Sequence, residues 1–401
     1  MSKQFNIVIC TLRYSDNLGD GVIGDCFEFL LKKHNIDLNI HHLDMAGRTK
    51  FLTSSSMKKN ESMGFTKTYF YKLPFFFQIN IFKKLLWPFI YKKKLDKAIN
   101  NVLSLKPDLL IFAGGQVFND ILLNFPLKFN YVCKNFSDQG IKTLISGVGV
   151  SKNWSDEGKE LFLRNLNSND ILKIYVRDND SKSNFLEYGI SKHINVTLDP
   201  AVWAKEAYNI KKNEKNKVNI GLGIANPYEL GTQTSSSEFN SRKFDSFWLD
   251  IIDGIDVNKY QLNLFTNGSS EDQYYLQYFS NLLSIKRPLL NFNIIERPIV
   301  PADLVQLISE MDLVIAHRLH ANIISYSFGI PSIALEWDKK VKSFMQTIKR
   351  DKWCFASLDQ GKEIASLIDR AMEEGVDLEY QLALKNSCFR NIQDCIEVLK
   401  S

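Results

Sequence analysis

The chain of 401 residues contains no uninterrupted run of about 18 apolar residues, the length a helix needs to cross a bilayer. Its nearest approach, 73–91, is broken by Gln78, Asn80, Lys83, Lys84 and two prolines, so no spanning helix is expected. Cysteine pairs are missing as well. Cys10, Cys26, Cys133, Cys354, Cys388 and Cys395 are scattered without a C-x-x-C, which argues for reduced thiols in a cytoplasm over a disulfide framework. The amino-terminal run Phe5–Leu12 is too short for a secretory h-region and has no small-residue cleavage site after it, so no signal peptide is expected. Arginine is absent from the most basic stretch, 58–97, where ten lysines face only Glu61 and Asp96. With no base-reading motif either, nucleic acid is not an expected partner. There is no internal repeat and no low-complexity tract. The net charge of +5 is small for this length, and that one stretch exceeds it, so the remainder of the chain is slightly acidic.

What is present is alternation. Short apolar runs follow one another at 5–12, 38–43, 108–113, 143–148, 172–177, 218–224, 262–266, 293–296, 312–316 and 332–335. Helix-length amphipathic segments such as 21–33, 302–310 and 319–328 lie between them. This order predicts α/β architecture with parallel sheets and right-handed crossovers. The lysine-rich stretch 209–217 reads as a linker. It divides the chain into a first domain, 1–208, with a basic–aromatic insertion at about 57–97, and a second, 218–375. The remaining 376–401 is expected to form a helix that packs back on the first domain. Two such domains are expected to face each other across a cleft that holds the active site.

The most informative stretch is Asp312-Leu-Val-Ile-Ala-His-Arg-Leu-His320, running on to Gly329-Ile-Pro331. It reads as a buried strand, then Arg318 and His320 at a helix entrance, then a glycine-stopped helix. An arginine and an imidazole beside unpaired helix N–H groups suit a small, strongly anionic ligand. His317 and His320 also form H-x-x-H, but a zinc site needs three or four ligands and no further one lies at a matching spacing, so no metal is expected.

Near the front, Asn17-Leu-Gly19-Asp20-Gly-Val-Ile-Gly24 follows the first strand and opens the first helix. Gly19, Gly21 and Gly24 match G-x-G-x-x-G, with Asp44 about 20 residues on, as in dinucleotide sites. Asp20 would then aim a carboxylate at a pyrophosphate. The loop is better suited to holding sugar hydroxyls or supplying a base. Gly114, Gly115 and Gln116 end another strand, where backbone can come close to a ligand. So do Gly147 and Gly149. Arg177 ends the next strand and offers a planar fork to carboxylate or phosphate, or else pairs with Asp178 or Asp199. In 65–97, aromatics and lysines interleave. That pattern fits either aromatics packed on the first domain or an element lying at an anionic membrane surface. No single-face period runs through Pro74 and Pro88.

Taken together, Asn17-Leu-Gly-Asp20, Ala113-Gly-Gly115, Gly147-Val-Gly149, Val176-Arg-Asp178 with Ser181, Asp199-Pro-Ala201, Arg318-Leu319-His320, Gly329-Ile-Pro331 and Trp337-Asp-Lys-Lys340-Val341 resemble the polysaccharide pyruvyl transferases. The resemblance covers most of the chain. It departs from the pattern at Gln116, where many members carry a third glycine, and in 57–97. It implies a GT-B-like fold and transfer of pyruvate from phosphoenolpyruvate to a sugar, as a cyclic ketal. Arg177, Arg318, Leu319, His320 and Lys340 would then line the donor site, with His320 moving the proton. Asn17, Gly19, Asp20, Gly114, Gly115 and Gln116 would serve the acceptor, with Asp20 a second catalytic candidate. Phosphoenolpyruvate is a co-substrate on this reading, and no cofactor is expected. The acceptor would be a cell-surface polysaccharide or its lipid-linked precursor, met at the inner face of the cytoplasmic membrane. Two alternatives remain open: a nucleotide-sugar-dependent glycosyltransferase of similar fold, and a non-catalytic glycan-binding protein.

Overall fold

The computed structural model describes residues 4–34, 36–51, 73–211, 217–234 and 240–399. The parts of the expected insertion and linker at 57–72 and 212–216, and the last two residues, lie outside them. The chain divides into two compact units. Residues 1–15, 20–200 and 385–401 make the first, and 16–19 with 201–384 make the second.

The first unit is one parallel sheet. β1 (Phe5–Thr11), β2 (Leu38–Asp44), β3 (Leu109–Ala113), β4 (Lys142–Val148), β5 (Ile171–Val176) and β6 (Ile194–Val196) lie in the order β2-β1-β3-β4-β5-β6. β3 is buried along its whole length because helices cover both faces, which is why its sequence is a continuous apolar run rather than an alternation. The crossovers are α1 (Gly19–Lys32), a long helical stretch at 75–103, α4 (Asn124–Ser137), α5 (Asp156–Leu166) and α6 (Asn179–Tyr188). That long stretch comprises α2 (Phe75–Ile81), ten π-helical residues (Phe82–Tyr91) and α3 (Lys92–Leu103). The core between sheet and helices is aromatic. Phe118 meets Phe129, Phe162 and Phe185 with ring centroids 4.9, 5.1 and 5.0 Å apart.

The second unit repeats the plan. β7 (Val218–Gly223), β8 (Tyr260–Phe265), β9 (Phe292–Ile294), β10 (Leu313–Ala316), β11 (Ser332–Leu335) and β12 (Cys354–Phe355) form a parallel sheet in the order β12-β11-β10-β7-β8-β9. Its helices include α7 (Pro227–Thr234), α8 (Ser241–Asp253), α9 (Ser270–Lys286), α10 (Pro301–Ser309), α11 (Leu319–Ser327) and α12 (Lys339–Thr347). A last helix, α13 (Leu378–Ile396), counts to the second unit up to Leu384 and to the first from Lys385 on. In each sheet the chain winds out one way and then the other. The winding reverses between β1 and β3, and again between β7 and β10. At such a reversal two neighbouring crossovers leave in opposite directions, and the space beyond the strand ends is where α/β proteins take ligands. The ten expected strands are all present, with ends shifted by a residue or two, and β6 and β12 are added to them.

Candidate active site

In the second unit three strand-to-helix junctions meet at the reversal point. β10 ends at Ala316, and His317-Arg318 carries the chain into α11, with Arg318 in extended backbone as the residue before the first helical turn. Asn322, buried one turn into α11, donates from Nδ2 to the carbonyls of Ala316 (3.2 Å) and Arg318 (3.1 Å), which fixes that bend. The guanidinium of Arg318 then runs to the other two junctions. Its Nε donates to Asp272 Oδ2 at 2.8 Å and its Nη2 to Asp272 Oδ1 at 2.6 Å. Nη2 also reaches Glu229 Oε2 at 2.7 Å. Asp272 is fully buried in the first turn of α9, a turn that Ser269 caps, so the helix dipole favours its charge. Asn226, after β7, donates its N–H to Asp272 Oδ1 (2.8 Å) and accepts from the N–H of Tyr228 and Glu229 at the start of α7.

Two carboxylates therefore surround one guanidinium. Burial alone would weaken the charge on Arg318, but Asp272 and then Glu229 more than offset it and hold the group cationic. Glu229 is the odd member. Burial raises its pKa, and the nearby charges of Asp272 and Glu271 add to that rise against the pull of Arg318. Its side chain keeps 32% of its surface open, against none for Asp272. Arg318 is expected from the sequence to meet an anionic ligand. In the structure it is already held by two carboxylates, neither of them among the expected site residues. Their signal was weak: Ser269 caps a helix whose first turn carries Glu271 and Asp272, a pattern common to ordinary helix starts.

His317 and His320 part company across the bend. His317 is buried beside Phe244, Phe247 and Trp248, its ring centroid 4.8 Å from that of Phe244. Desolvation, with the neighbouring Arg318 charge second, lowers its pKa to about 3, so it is neutral at physiological pH. The described residues hold no cluster of three metal-ligating side chains, and the H-x-x-H is not part of one. His320 lies in the first turn of α11, after Leu319, and is largely buried. Gly19 lies directly against it: a Cβ at position 19 would come within 2.4 Å of Cγ and Nδ1 of the imidazole. That close approach leaves no room for a side chain at position 19. The loop before it is held by Leu18, whose N–H donates to the Asn267 carbonyl at 3.0 Å, and by Ser270 Oγ on Asp16 at 3.3 Å. Asn17 and Gly19, read as acceptor-side residues, thus belong to the second unit beside His320.

Lys340 is drawn into the same neighbourhood by an aromatic bridge. Its Nζ lies 4.1 Å from the Trp337 ring centroid, and Trp337 Nε1 donates to the His317 carbonyl at 2.8 Å. Asp338 caps α12 through the Lys340 N–H and pairs with its ammonium at 3.4 Å.

The first unit holds the remaining candidates. Arg177, at the end of β5, lies flat on Gly149, where a Cβ would meet its Cζ and Nη2 at 2.5 Å. Its Nε reaches Asp178 Oδ2 at 3.3 Å and its Nη2 reaches Gln116 Oε1 at 3.5 Å. Gln116, which stands in place of a third glycine, therefore supplies an arginine partner. Gly114 and Gly115 take positive φ (59° and 70°), and the Gly115 carbonyl accepts from the Gly149 N–H at 2.7 Å. The side of Gly114 is filled by Ile23, while nothing lies within 4 Å of a Cβ on Gly115. Asp20 sits half-buried in the first turn of α1. Asp44, the acidic residue a dinucleotide site would use, is buried and accepts from the N–H groups of Tyr14 (2.9 Å) and Ala46 (2.7 Å). It holds a turn, which removes the ribose partner from the dinucleotide reading.

Residues 17–339 match the family model described as polysaccharide pyruvyl transferase. The chain belongs to that family. It is thus a transferase of polysaccharide biosynthesis that acts on a saccharide. No curated relative matches it by sequence. Among solved structures it is similar to a Listeria monocytogenes protein assigned as a UDP-N-acetylglucosamine 2-epimerase (TM-score 0.58, 9% identity, 100% of this chain and 96% of that one). The UDP-GlcNAc 2-epimerase of Neisseria meningitidis, solved with UDP-GlcNAc bound, is another (0.54, 13%, 99% of each chain). A third is the UDP-GlcNAc 2-epimerase of Methanocaldococcus jannaschii (0.54, 13%, 92% and 93%). At such identities the likeness concerns the fold: two Rossmann-like domains of the GT-B-like kind. The matched range, 17–339, begins at the Asn17 loop and ends at Lys339, so it holds every candidate above except Lys340.

Proposed function

We propose that this pyruvyl transferase uses phosphoenolpyruvate and forms a cyclic pyruvate ketal on a sugar of a cell-surface polysaccharide or its lipid-linked precursor. In that reaction one sugar hydroxyl adds to C2 of the donor while C3 gains a proton. The C2–O bond to phosphate breaks, and a second hydroxyl closes the ring on C2. Of the two hydroxyl protons, one ends on the new methyl group and the other on phosphate, so the chemistry balances without a cofactor.

The observation that carries the reading is the Arg318-Leu319-His320 junction at the reversal point, within a chain whose family transfers pyruvyl groups. A ring pressed on Gly19 has little freedom, and a proton-transferring group gains most from fixed position. His320 is assigned that proton. Arg318 and Lys340 are assigned to the donor's anionic groups. A donor anion reaches Arg318 by displacing Glu229, the more open of its two carboxylate partners. On the family pattern Arg177, in the first unit, has a donor role too, and Asp20, Gly115 and Gln116 serve the acceptor.

The test is an assay of phosphate release from phosphoenolpyruvate against galactose-, glucose- and mannose-type acceptors, with donor binding followed by thermal shift. Acceptor-dependent release, and stabilisation by phosphoenolpyruvate, are expected. Stabilisation by a nucleotide sugar instead would move the chain to glycosyl transfer. Glycan binding with no release would leave it a binding protein.

A further inference from the structure

The helical stretch 75–103 sorts its side chains onto two opposite sides. On one, Phe82, Leu95, Ala98, Ile99 and Val102 are buried, and Trp87 meets Tyr131 edge-on with centroids 5.9 Å apart. On the other, Phe76 is 72% and Phe89 62% exposed, and Phe77, Leu85 and Ile90 are exposed with them. Lys84, Lys93, Lys94 and Lys97 are exposed on the same stretch. Unlike Lys83 and Lys92, which pair with Glu157 and Asp96, these four have no carboxylate partner among the described residues.

The π-helical residues explain how one side is kept. Their i→i+5 bonding widens the turn, so the outer positions recur every four or five residues: Leu85, Phe89 and Ile90, Lys93 and Lys94. An α-helical period applied to the sequence loses the stripe there, and Pro88, which has no N–H to give, lies inside the same widened turns. No helix among the described residues is long and apolar enough to span a bilayer, so this stripe can lie on one but not cross it.

We propose that this face docks on an anionic lipid bilayer, its aromatic and aliphatic side chains entering the acyl boundary and its four exposed lysines meeting the headgroups. Charge selects this occupant. A second copy would bring the same lysines face to face, and like charges repel; a neutral surface would leave them unmatched. The inference rests on the helical stretch alone and stands whether or not phosphoenolpyruvate is the donor.

Flotation of the full-length protein with phosphatidylcholine vesicles, with and without phosphatidylglycerol, tests it. Binding is expected only to the anionic vesicles and is expected to weaken as salt rises. Replacing Lys84, Lys93, Lys94 and Lys97 by Gln should lower the partition coefficient about fivefold per lysine. Phe76→Ser with Phe89→Ser should lower it too, with salt dependence retained. In both variants Tm and turnover on a water-soluble acceptor should be unchanged. Absence of binding to anionic vesicles overturns the proposal, as does equal binding to neutral ones or an unaltered lysine variant. A concentration-dependent dimer that Phe76→Ser abolishes, without vesicle binding, overturns it in favour of self-association.

Discussion

Replacing Arg318 by Met removes the one cation that two carboxylates share. Glu229 keeps about a third of its side-chain surface in solvent and can turn outward. Asp272 cannot: it is fully buried, and its carboxylate would be left with the Asn226 N–H alone among the described residues. Breaking a buried pair from one side typically removes about 3–5 kcal/mol, because the remaining charge is left without its counter-charge. For a folding unit of this size each kcal/mol lowers Tm by about 2–4 °C, so calorimetry should show a fall of about 6–20 °C. The companion is Arg318→Met with Asp272→Leu, which removes both charges and should recover most of the loss. A fall corresponding to less than about 1 kcal/mol, or a double variant no more stable than the single one, would refute the view that this pair ties the junctions together. One consequence concerns activity. Loss of turnover in an Arg318 variant is informative about the donor only at temperatures where the variant is folded, and then through KM.

Three further variants probe neighbouring groups. Gly19→Ala drives a methyl group into the His320 ring, and a displacement of about 1 Å costs about a hundredfold in rate; kcat should fall by about that much, and an unchanged kcat would dissociate Gly19 from catalysis. Glu229→Gln should lower KM for phosphoenolpyruvate, since the donor no longer displaces a carboxylate. Its pH signature follows from the raised pKa: the wild-type contribution is complete below the usual glutamate range and is lost as pH rises through the folded value. The Gln variant therefore gains stability relative to wild type as pH rises above about 4.5, and urea titrations showing a constant difference would contradict it. His317→Phe tests the opposite sign. With an unfolded pKa of 6.5 and a folded value of about 3, neutral His317 leaves stability intact above pH 6.5 and loses it as pH falls toward 3. The loss is about 1.4 kcal/mol per pH unit; the Phe variant should lack that part of the slope, and parallel curves would contradict the burial argument.

How much of this was legible in the chain depends on the range of the interaction. The strands were readable because buried parallel strands are continuous apolar runs, and Leu313–Ala316 could hardly be anything else. The Arg318–His320 bend was readable because strand end, cation and helix start are neighbours in sequence. The partners of Arg318 were not: Asp272 and Glu229 lie 46 and 89 residues away. Nothing local marks a carboxylate that will be buried by another crossover. The glycines of 19–24 were legible as a ligand loop with nucleotide-like spacing, but that His320, about three hundred residues on, lies against Gly19 was not. The 75–103 stripe was hidden because its period changes within it. The short strands β6 and β12 were hidden because two or three residues carry no pattern.

Acceptor-dependent phosphate release from phosphoenolpyruvate by wild type and by His320→Ala tests the central claim most directly, with circular dichroism on both proteins. The account predicts pyruvate fixed as a ketal in step with phosphate released, and a loss of about a hundredfold to ten-thousandfold in turnover for the correctly folded variant. A folded His320→Ala enzyme working at the wild-type rate would contradict it.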